Sequence, residues 1–372
     1  MSLSPVVQWF NRSNQIRSRG YSASIRRFSI YQQCRQSVAD PSISTIAASL
    51  LSRFQSLGPQ TRSQVLDGNQ LQLLSLTLNR SSLYPNSPSL GGRSNTSTTS
   101  LPVGTALPPG YHLVYFTPAF LENDLGADGT DVSYNPEAPF TQRMWAGGEV
   151  YWPRAAGGNP NPLRVGQEVQ ETTQVLSVEP KIIRKTGEQM IVVRVGKEFR
   201  NEHGLAVVDR RSWIFREALA VQSVSSRASD LAPVPTAPAF ASTFSTARTH
   251  TRTLRQTAVT LFRFSALTFN PHKIHYSTPW AQQMEGHRDI VVHGPLNLIA
   301  ILDLWRDTRP TEGIDPAMLL PESIKYRATS PLYAEDEYQI VLDEEDGNGT
   351  GQIQILAPSG KVAMKAEVRS AM

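Results

Sequence analysis

A single cysteine, Cys34, stands in the whole chain, so neither an internal disulfide framework nor a thiolate zinc site can be built from it. No apolar run reaches the roughly 18 to 20 residues that span a bilayer. The longest candidate, Ile290 to Trp305, is broken by His293, Pro295, Asn297 and Asp303, and no stable membrane insertion is expected. Charged residues are few, 18% against 40% apolar, which fits a chain that buries a core rather than a disordered one. Acid is missing altogether from residues 1–39, which hold six arginines. The remainder therefore carries 36 − 6 = 30 basic against 32 acidic residues, a net charge of −2. So neutral a body offers no basic stripe to displace counterions, and a nucleic-acid partner is not expected. At 372 residues the chain is about two and a half common domains long, which predicts two folded units plus linker or tail.

The acid-free stretch is also rich in serine, with Val6, Trp9, Phe10, Ile16, Ile25 and Phe28 scattered among Arg12, Arg17, Arg19, Arg26, Arg27 and Arg35. That is the composition of a mitochondrial transit peptide, and the Arg19-Gly20-Tyr21-Ser22 and Arg26-Arg27-Phe28-Ser29 segments resemble matrix-import cleavage patterns. Residues 1–39 are set aside on that basis.

Apolar spacings of three and four predict helices over Ser42–Phe54 and Arg62–Leu78. Tyr84 to Gly110 reads as loop. Strand character follows at Val169–Val178, Met190–Phe199 and Ala206–Phe215, with turns at Lys185-Thr186-Gly187-Glu188 and Asn201-Glu202-His203-Gly204. Residues 223–253 return to Ser, Thr, Ala and Pro and read as a linker. Beyond it come a strand (Thr257–Ser265), a nearly all-apolar helix (Pro295–Trp305) and four strands, with turns at Gly347-Asn348-Gly349 and Pro358-Ser359-Gly360. Such a helix needs cover on every side, as when a sheet curls around it. Pro162-Leu163-Arg164-Val165-Gly166-Gln167-Glu168 and Pro331-Leu332-Tyr333-Ala334-Glu335-Asp336-Glu337 echo each other ahead of similar strands, which suggests two copies of one fold.

Polar groups gather in an apolar context at Phe264-Ser265-Ala266-Leu267-Thr268-Phe269-Asn270-Pro271-His272-Lys273-Ile274-His275-Tyr276. Two imidazoles near neutral pKa, an amide and a proline-stiffened turn meet there, and Tyr276 is expected to orient His275. A second such segment is Val291-Val292-His293-Gly294-Pro295, where a glycine enters the apolar helix. Unpaired N–H groups at a helix start suit a carbonyl acquiring negative charge. Histidines three apart can also bind metal, but no Cys, Asp or Glu stands close by in sequence to complete a set. Gly147-Gly148 lacks phosphate-loop spacing.

These residues resemble the R-specific enoyl-thioester hydratases, the MaoC-like branch of the hot-dog fold, whose Ser-Gly-Asp-x-Asn-Pro-Leu-His segment aligns without a gap on Thr-Phe-Asn-Pro-His-Lys-Ile-His. Within the branch, the wording through Val291-Val292-His293-Gly294-Pro295-Leu296 is most similar to mitochondrial 3-hydroxyacyl-thioester dehydratases and mesaconyl-CoA hydratase relatives. Arg143-Met144-Trp145-Ala146-Gly147-Gly148 resembles their first domain, and the likeness spans about residues 105–370.

The resemblance implies an α+β double hot-dog, two antiparallel sheets each wrapped around a central helix. Its domains would be 40–222 with a helical extension, the linker 223–253, and a catalytic 254–372. The implied reaction is dehydration of (3R)-3-hydroxyacyl thioesters to trans-2-enoyl thioesters in mitochondrial fatty acid synthesis, without metal or organic cofactor. The substrate would be carried by acyl-carrier protein or coenzyme A, and a homodimer is compatible. Asn270 falls on the family's catalytic Asp, His272 on its Asn, and His275 on its catalytic His. Because an amide cannot take a proton, His275 must then serve as both base and acid while Asn270 holds the hydroxyl. His272, His293, Gly294, Arg143 and Trp145 are the expected substrate contacts. Two other readings stay open: a hydratase of a short dicarboxyl-CoA, mesaconyl- or itaconyl-CoA, with Lys273 or Arg143 on the free carboxylate, and a non-catalytic acyl-thioester binding subunit.

Overall fold

The computed structural model describes residues 41–84, 87–91, 101–154, 158–218, 240–310, 315, 318–344 and 349–370. The transit-like segment, residues 223–239 of the expected linker and the Gly347-Asn348 turn lie outside them. Elements run α1 (Ile43–Leu57), β1 (Gln60–Val65), α2 (Gly68–Thr77), β2 (Gln142–Tyr151), β3 (Glu168–Ile182), β4 (Gln189–Asn201), β5 (Gly204–Arg216), β6 (Phe240–Ser245), β7 (Thr249–Arg255), α3 (Ala258–Leu267), α4 (Thr278–Gln283), α5 (Gly294–Asp307), β8 (Ser323–Ala328), β9 (Glu337–Glu344), β10 (Thr350–Leu356) and β11 (Val362–Arg369).

All eleven strands join one antiparallel sheet in the order β1-β3-β4-β5-β2-β8-β11-β10-β9-β7-β6. The first five repeat, in mirror order, as β8-β11-β10-β9-β7, so two half-sheets meet edge to edge at β2 and β8. At that seam a Cβ on Gly147 would lie 2.4 Å from the Tyr326 carbonyl oxygen, and on the other side of β2 one on Gly148 would lie 2.1 Å from that of Arg210 in β5. The glycine pair is there because backbones approach too closely for any side chain.

The sequence echo is a structural repeat. Gly166 (φ 85°) and Glu335 (φ 63°) both turn left-handed just before β3 and β9. Leu107 and Val165 bond to Leu163 and Thr105 at 2.8 and 2.9 Å, as Val292 and Ala334 bond to Leu332 and Ile290 at 2.8 and 3.0 Å. Helices α2 and α3 correspond too. Each ends on a left-handed residue, Asn79 (φ 56°) or Phe269 (φ 47°), and the next N–H closes on a serine carbonyl at 2.9 Å, Arg80 on Ser75 and Asn270 on Ser265. This is the Schellman closure.

Helix α5 buries eleven of its 14 residues, among them Leu296, Leu298, Ile299, Ile301, Leu302 and Leu304 at 0% exposure. Truncating one such leucine costs about 2–5 kcal/mol. Its buried polar residues are partnered: Asn297 accepts from the Tyr338 hydroxyl, Asp303 from Tyr111, and Asp303 pairs with Arg306. At the point in the first repeat where α5 would start, the chain makes only a single 3-10 turn, Tyr111–Val114. Helix α1 lays Ile46, Ala47 and Leu50 against Ile191, Val193, Val195 and Phe215, in a cluster apart from that turn.

Three local expectations are corrected. The segment expected as a strand, Thr257–Ser265, is helix α3, capped by the Thr257 side chain accepting from Thr260 N–H. Exposed Val259 and Phe262 hid the helical spacing of buried Thr260, Leu261, Phe264 and Leu267. Arg62–Leu78 is not one helix but β1 followed by α2, which Asp67 caps. The end of the expected linker forms the β6–β7 hairpin, and β7 pairs with β9. Its Thr249, Thr251 and Thr253 are polar by composition but β-branched, and they suit a half-buried strand.

Candidate active site

The Schellman closure after α3 places Asn270 on a cleft of about 1390 Å³. The following turn, Lys273–His275, then carries His275 inward until it is 7% exposed. That turn is held from the first repeat, where the Asp128 carbonyl accepts from Lys273 N–H at 2.8 Å. A Cβ on Gly129 would meet the Pro271 carbonyl oxygen at 2.2 Å, so only glycine allows this contact.

His275 Nδ1 lies 2.7 Å from the Val291 carbonyl oxygen, an acceptor, so this nitrogen carries the proton and Nε2 holds the lone pair. Among the described residues Nε2 has no hydrogen-bond partner. Burial, then the neighbouring His272, pushes the imidazole down to about 3, so the ring is neutral near pH 7. Its flat face stacks on His293, with centroids 3.5 Å apart. His293 is 1% exposed, is held well below the ordinary histidine range by burial and by His275, and bonds Ser265 Oγ at 2.9 Å. It backs the His275 ring as a wall. Tyr276 does not orient His275, as expected, but bonds the Pro271 carbonyl.

His272 stands edge-on to His275, centroids 5.4 Å apart at 83°. Its Nε2 faces Glu285 Oε1 at 3.2 Å and Asp128 Oδ2 at 3.7 Å. Glu285 also accepts from Trp280 Nε1 and Gln142. Burial alone would raise this carboxyl; the bonds from His272, Trp280 and Gln142 outweigh it and hold the group below its ordinary value. Glu285 and Asp128 escaped the sequence reading because nothing in their spacing ties them to the histidine turn.

Gly294 opens α5 over the same cleft, and among the described residues its N–H meets no acceptor. A side chain there would strike the Trp145 ring at 2.8 Å. The Trp145 ring in turn lies under the Arg211 guanidinium at 5.5 Å. Asn270, His272, His275, His293, Gly294, Arg143 and Trp145 all line this cleft. Lys273 and Arg143 are committed elsewhere: Lys273 Nζ bonds the Ala127 carbonyl and covers Trp280, and Arg143 pairs with Asp131 and covers Trp213. Deeper in the first repeat the wall turns ionic. Lys197 Nζ bonds Glu171 at 2.9 Å and Thr173 at 3.0 Å, Arg62 shares Glu171, and Arg211 grips Asp209. Burial, then Arg211, pushes Lys197 down to about 8. Among the described residues no three His, Cys, Asp or Glu converge as a cation site, and no helix is long and apolar enough to cross a membrane.

The geometry can be set beside known proteins. The family profile described as hydroxyacyl-thioester dehydratase type 2 matches residues 110–334. A mesaconyl-C(4)-CoA hydratase from Chloroflexus aurantiacus is 30% identical over 266 residues, 70% of this chain and 83% of that protein. The mitochondrial hydroxyacyl-thioester dehydratase type 2 of Schizosaccharomyces pombe is 25% identical over 265 residues, 64% of this chain and 79% of that one. In fold, a MaoC-like dehydratase from Phytophthora capsici superposes with a TM-score of 0.53 at 14% identity, over 84% of this chain and 95% of its own. The double hot-dog is thus the fold, and the chain belongs to the hydroxyacyl-thioester dehydratase type 2 family.

Proposed function

We propose that this chain is a hydro-lyase that removes water from (3R)-3-hydroxyacyl thioesters, giving trans-2-enoyl thioesters, and that it runs the reverse addition in the same cleft. One observation carries the reading: a neutral imidazole with a free Nε2, at His275, faces a cleft that also receives the open N–H of Gly294. His275 takes the C2 proton, and the enolate charge that develops on the thioester oxygen is met by Gly294 at the positive end of α5. The imidazolium forms only as that charge forms, so a ring held neutral beforehand is suited to the step. General base catalysis supplies on the order of 10² to 10⁴ in rate, and one oxyanion donor on the order of 10² to 10³. Asn270, whose side chain bonds no described residue, holds the 3-hydroxyl.

The missing counterpart of α5 leaves space in the first repeat for the acyl chain. Acyl-carrier protein or coenzyme A bears the thioester. The mitochondrial matrix is the proposed location, supported by the acid-free, arginine-rich start and by the family's mitochondrial members in yeasts. A homodimer fits this reading.

The ionic wall favours a second reading, hydration of a dicarboxyl-CoA. Its cations Lys197, Arg62 and Arg211 outnumber Glu171 and Asp209, so a substrate carboxylate has a place to go that Lys273 and Arg143 do not offer.

The test is turnover of purified full chain on 3-hydroxydecanoyl and mesaconyl thioesters, on both carriers, beside His275→Ala. Enoyl formation by wild type and its loss in the variant, with acyl-thioester binding kept, is the expected result. Equal rates in both proteins would leave a binding subunit and no enzyme.

A further inference from the structure

Dehydration expels oxygen from C3, and hydroxide leaves poorly unless it is protonated as it goes. Asn270 can hold that oxygen but has no proton to give. His275 already has a task at C2. The cleft holds a second imidazole whose free nitrogen is the opposite one. At His272 the acceptor-only carboxylate of Glu285 lies 3.2 Å from Nε2, so Nε2 carries a proton, and Nδ1 has no partner among the described residues. At His275 the anchored nitrogen is Nδ1 and the free one Nε2. The two rings stand edge to face, 5.4 Å apart, and both line the cleft. Their surroundings differ as those of an acid and a base should. His275 touches a carbonyl and a second buried imidazole, while His272 sits against Glu285 with Asp128 just behind it.

We infer that His272, seated on Glu285, is the acid that protonates the departing 3-hydroxyl while His275 removes the C2 proton. The inference rests on the dehydratase reading of the same site. The C2–H bond breaks and its proton goes to His275 Nε2; its electron pair becomes the C2=C3 π bond. His272 enters the step doubly protonated; the C3–O bond breaks, its electron pair stays on the oxygen, and the oxygen takes the Nδ1 proton and leaves as water. His275 is then an imidazolium and His272 neutral, and one proton passed between the adjacent rings or through solvent restores the start. Both transfers occur on one face, as syn elimination requires. Glu285 is a positioning residue: donors from Trp280 and Gln142 keep it ionised and aimed at His272 Nε2.

The titratable and charged groups facing His272 are Glu285 beyond α4, Asp128 of the first repeat, His275 of its own turn, His287, and Lys273, whose ammonium is held by Ala127. The experiment pairs two substrates of equal chain length, a 3-hydroxyacyl-CoA and a 3-chloroacyl-CoA, whose chloride leaves without a proton. His272→Gln should slow the hydroxy substrate by about 10² to 10⁴ in kcat with KM little changed, yet keep the chloro substrate within about threefold of wild type. His275→Ala should slow both. Glu285→Gln is the second variant. Without its carboxylate Nε2 loses its charged acceptor, so the hydroxy substrate should be slowed about tenfold in kcat and the chloro substrate little. Equal slowing of both substrates by His272→Gln, no slowing of either, or equal slowing of both by Glu285→Gln overturns the assignment. Wild-type protein inert on both substrates would instead remove the dehydratase reading, and this one with it.

Discussion

The two repeats use equivalent positions for different ends. After α3 the residue past the left-handed turn is Asn270, on the cleft; after α2 it is Arg80, which makes paired bonds to Asp307 at 2.7 and 2.8 Å at the far end of α5. Arg252 and Arg306 join it there, beside the helix's negative pole. Where the second repeat has the 14-residue α5, the first has the Tyr111–Val114 turn. One copy brings Asn270 and its histidines to the cleft, and the other has turned the matching position to anchoring. A duplicated fold therefore separates the residues that serve the fold, because those recur, from the candidates for the reaction, because they do not.

The sharpest way to break this comparison is to exchange the effects. His275→Ala should lower kcat by roughly 10² to 10⁴ with the melting temperature nearly unchanged. Arg80→Ala should do the reverse. It frees Asp307, and since both side chains are about one-fifth exposed, a loss of about 2 kcal/mol is expected, below the full buried-pair figure. Denaturant midpoints and steady-state rates on both variants check the crossing; a rate collapse in Arg80→Ala would undo the division of labour.

A pH series sharpens it next. His275 and His293 have folded values below the unfolded one of about 6.5, so the unfolded chain binds more protons as pH falls. Their contribution is whole above that value and lost as pH drops toward the folded values, by up to about 1.4 kcal/mol per unit for each group. Thermal melts from pH 7 to 4 should fall, and His293→Gln should flatten the fall.

The smallest effect concerns the two left-handed residues. Phe269→Gly should stabilise by about 1 kcal/mol, because a bulky side chain is strained at φ 47°. Asn79→Gly should gain only a few tenths, since asparagine tolerates that conformation. Equal gains at both sites would mean that the second repeat stores no extra strain beside Asn270.

Much of this was legible beforehand. Strands β3 to β5 and β9 to β11 announce themselves by alternation, as at Ile353 and Ile355, and α5 by being apolar on nearly every face. The histidine turn was readable from its wording. What stayed hidden depended on contacts across the repeats. Val259 and Phe262 are apolar yet exposed, so α3 looked like a strand. Thr249 to Thr253 became a strand because β9 was there to pair with. Glu285 reaches His272 through a bent path after α4 that no periodicity encodes, and Asp128 arrives from the other repeat. The Gly147-Gly148 pair owes its presence to close backbones in β8 and β5, visible only when the sheet is assembled.

Gly129 against Pro271, and Trp145 against Gly294, are places where the first copy props up the histidine-bearing one. Severing the polypeptide between the copies would thus leave the histidine-bearing piece with its residues intact and its props gone. A working enzyme rebuilt from two fragments would have to mend the β2–β8 join first, and the chemistry would return only as fast as that join reforms.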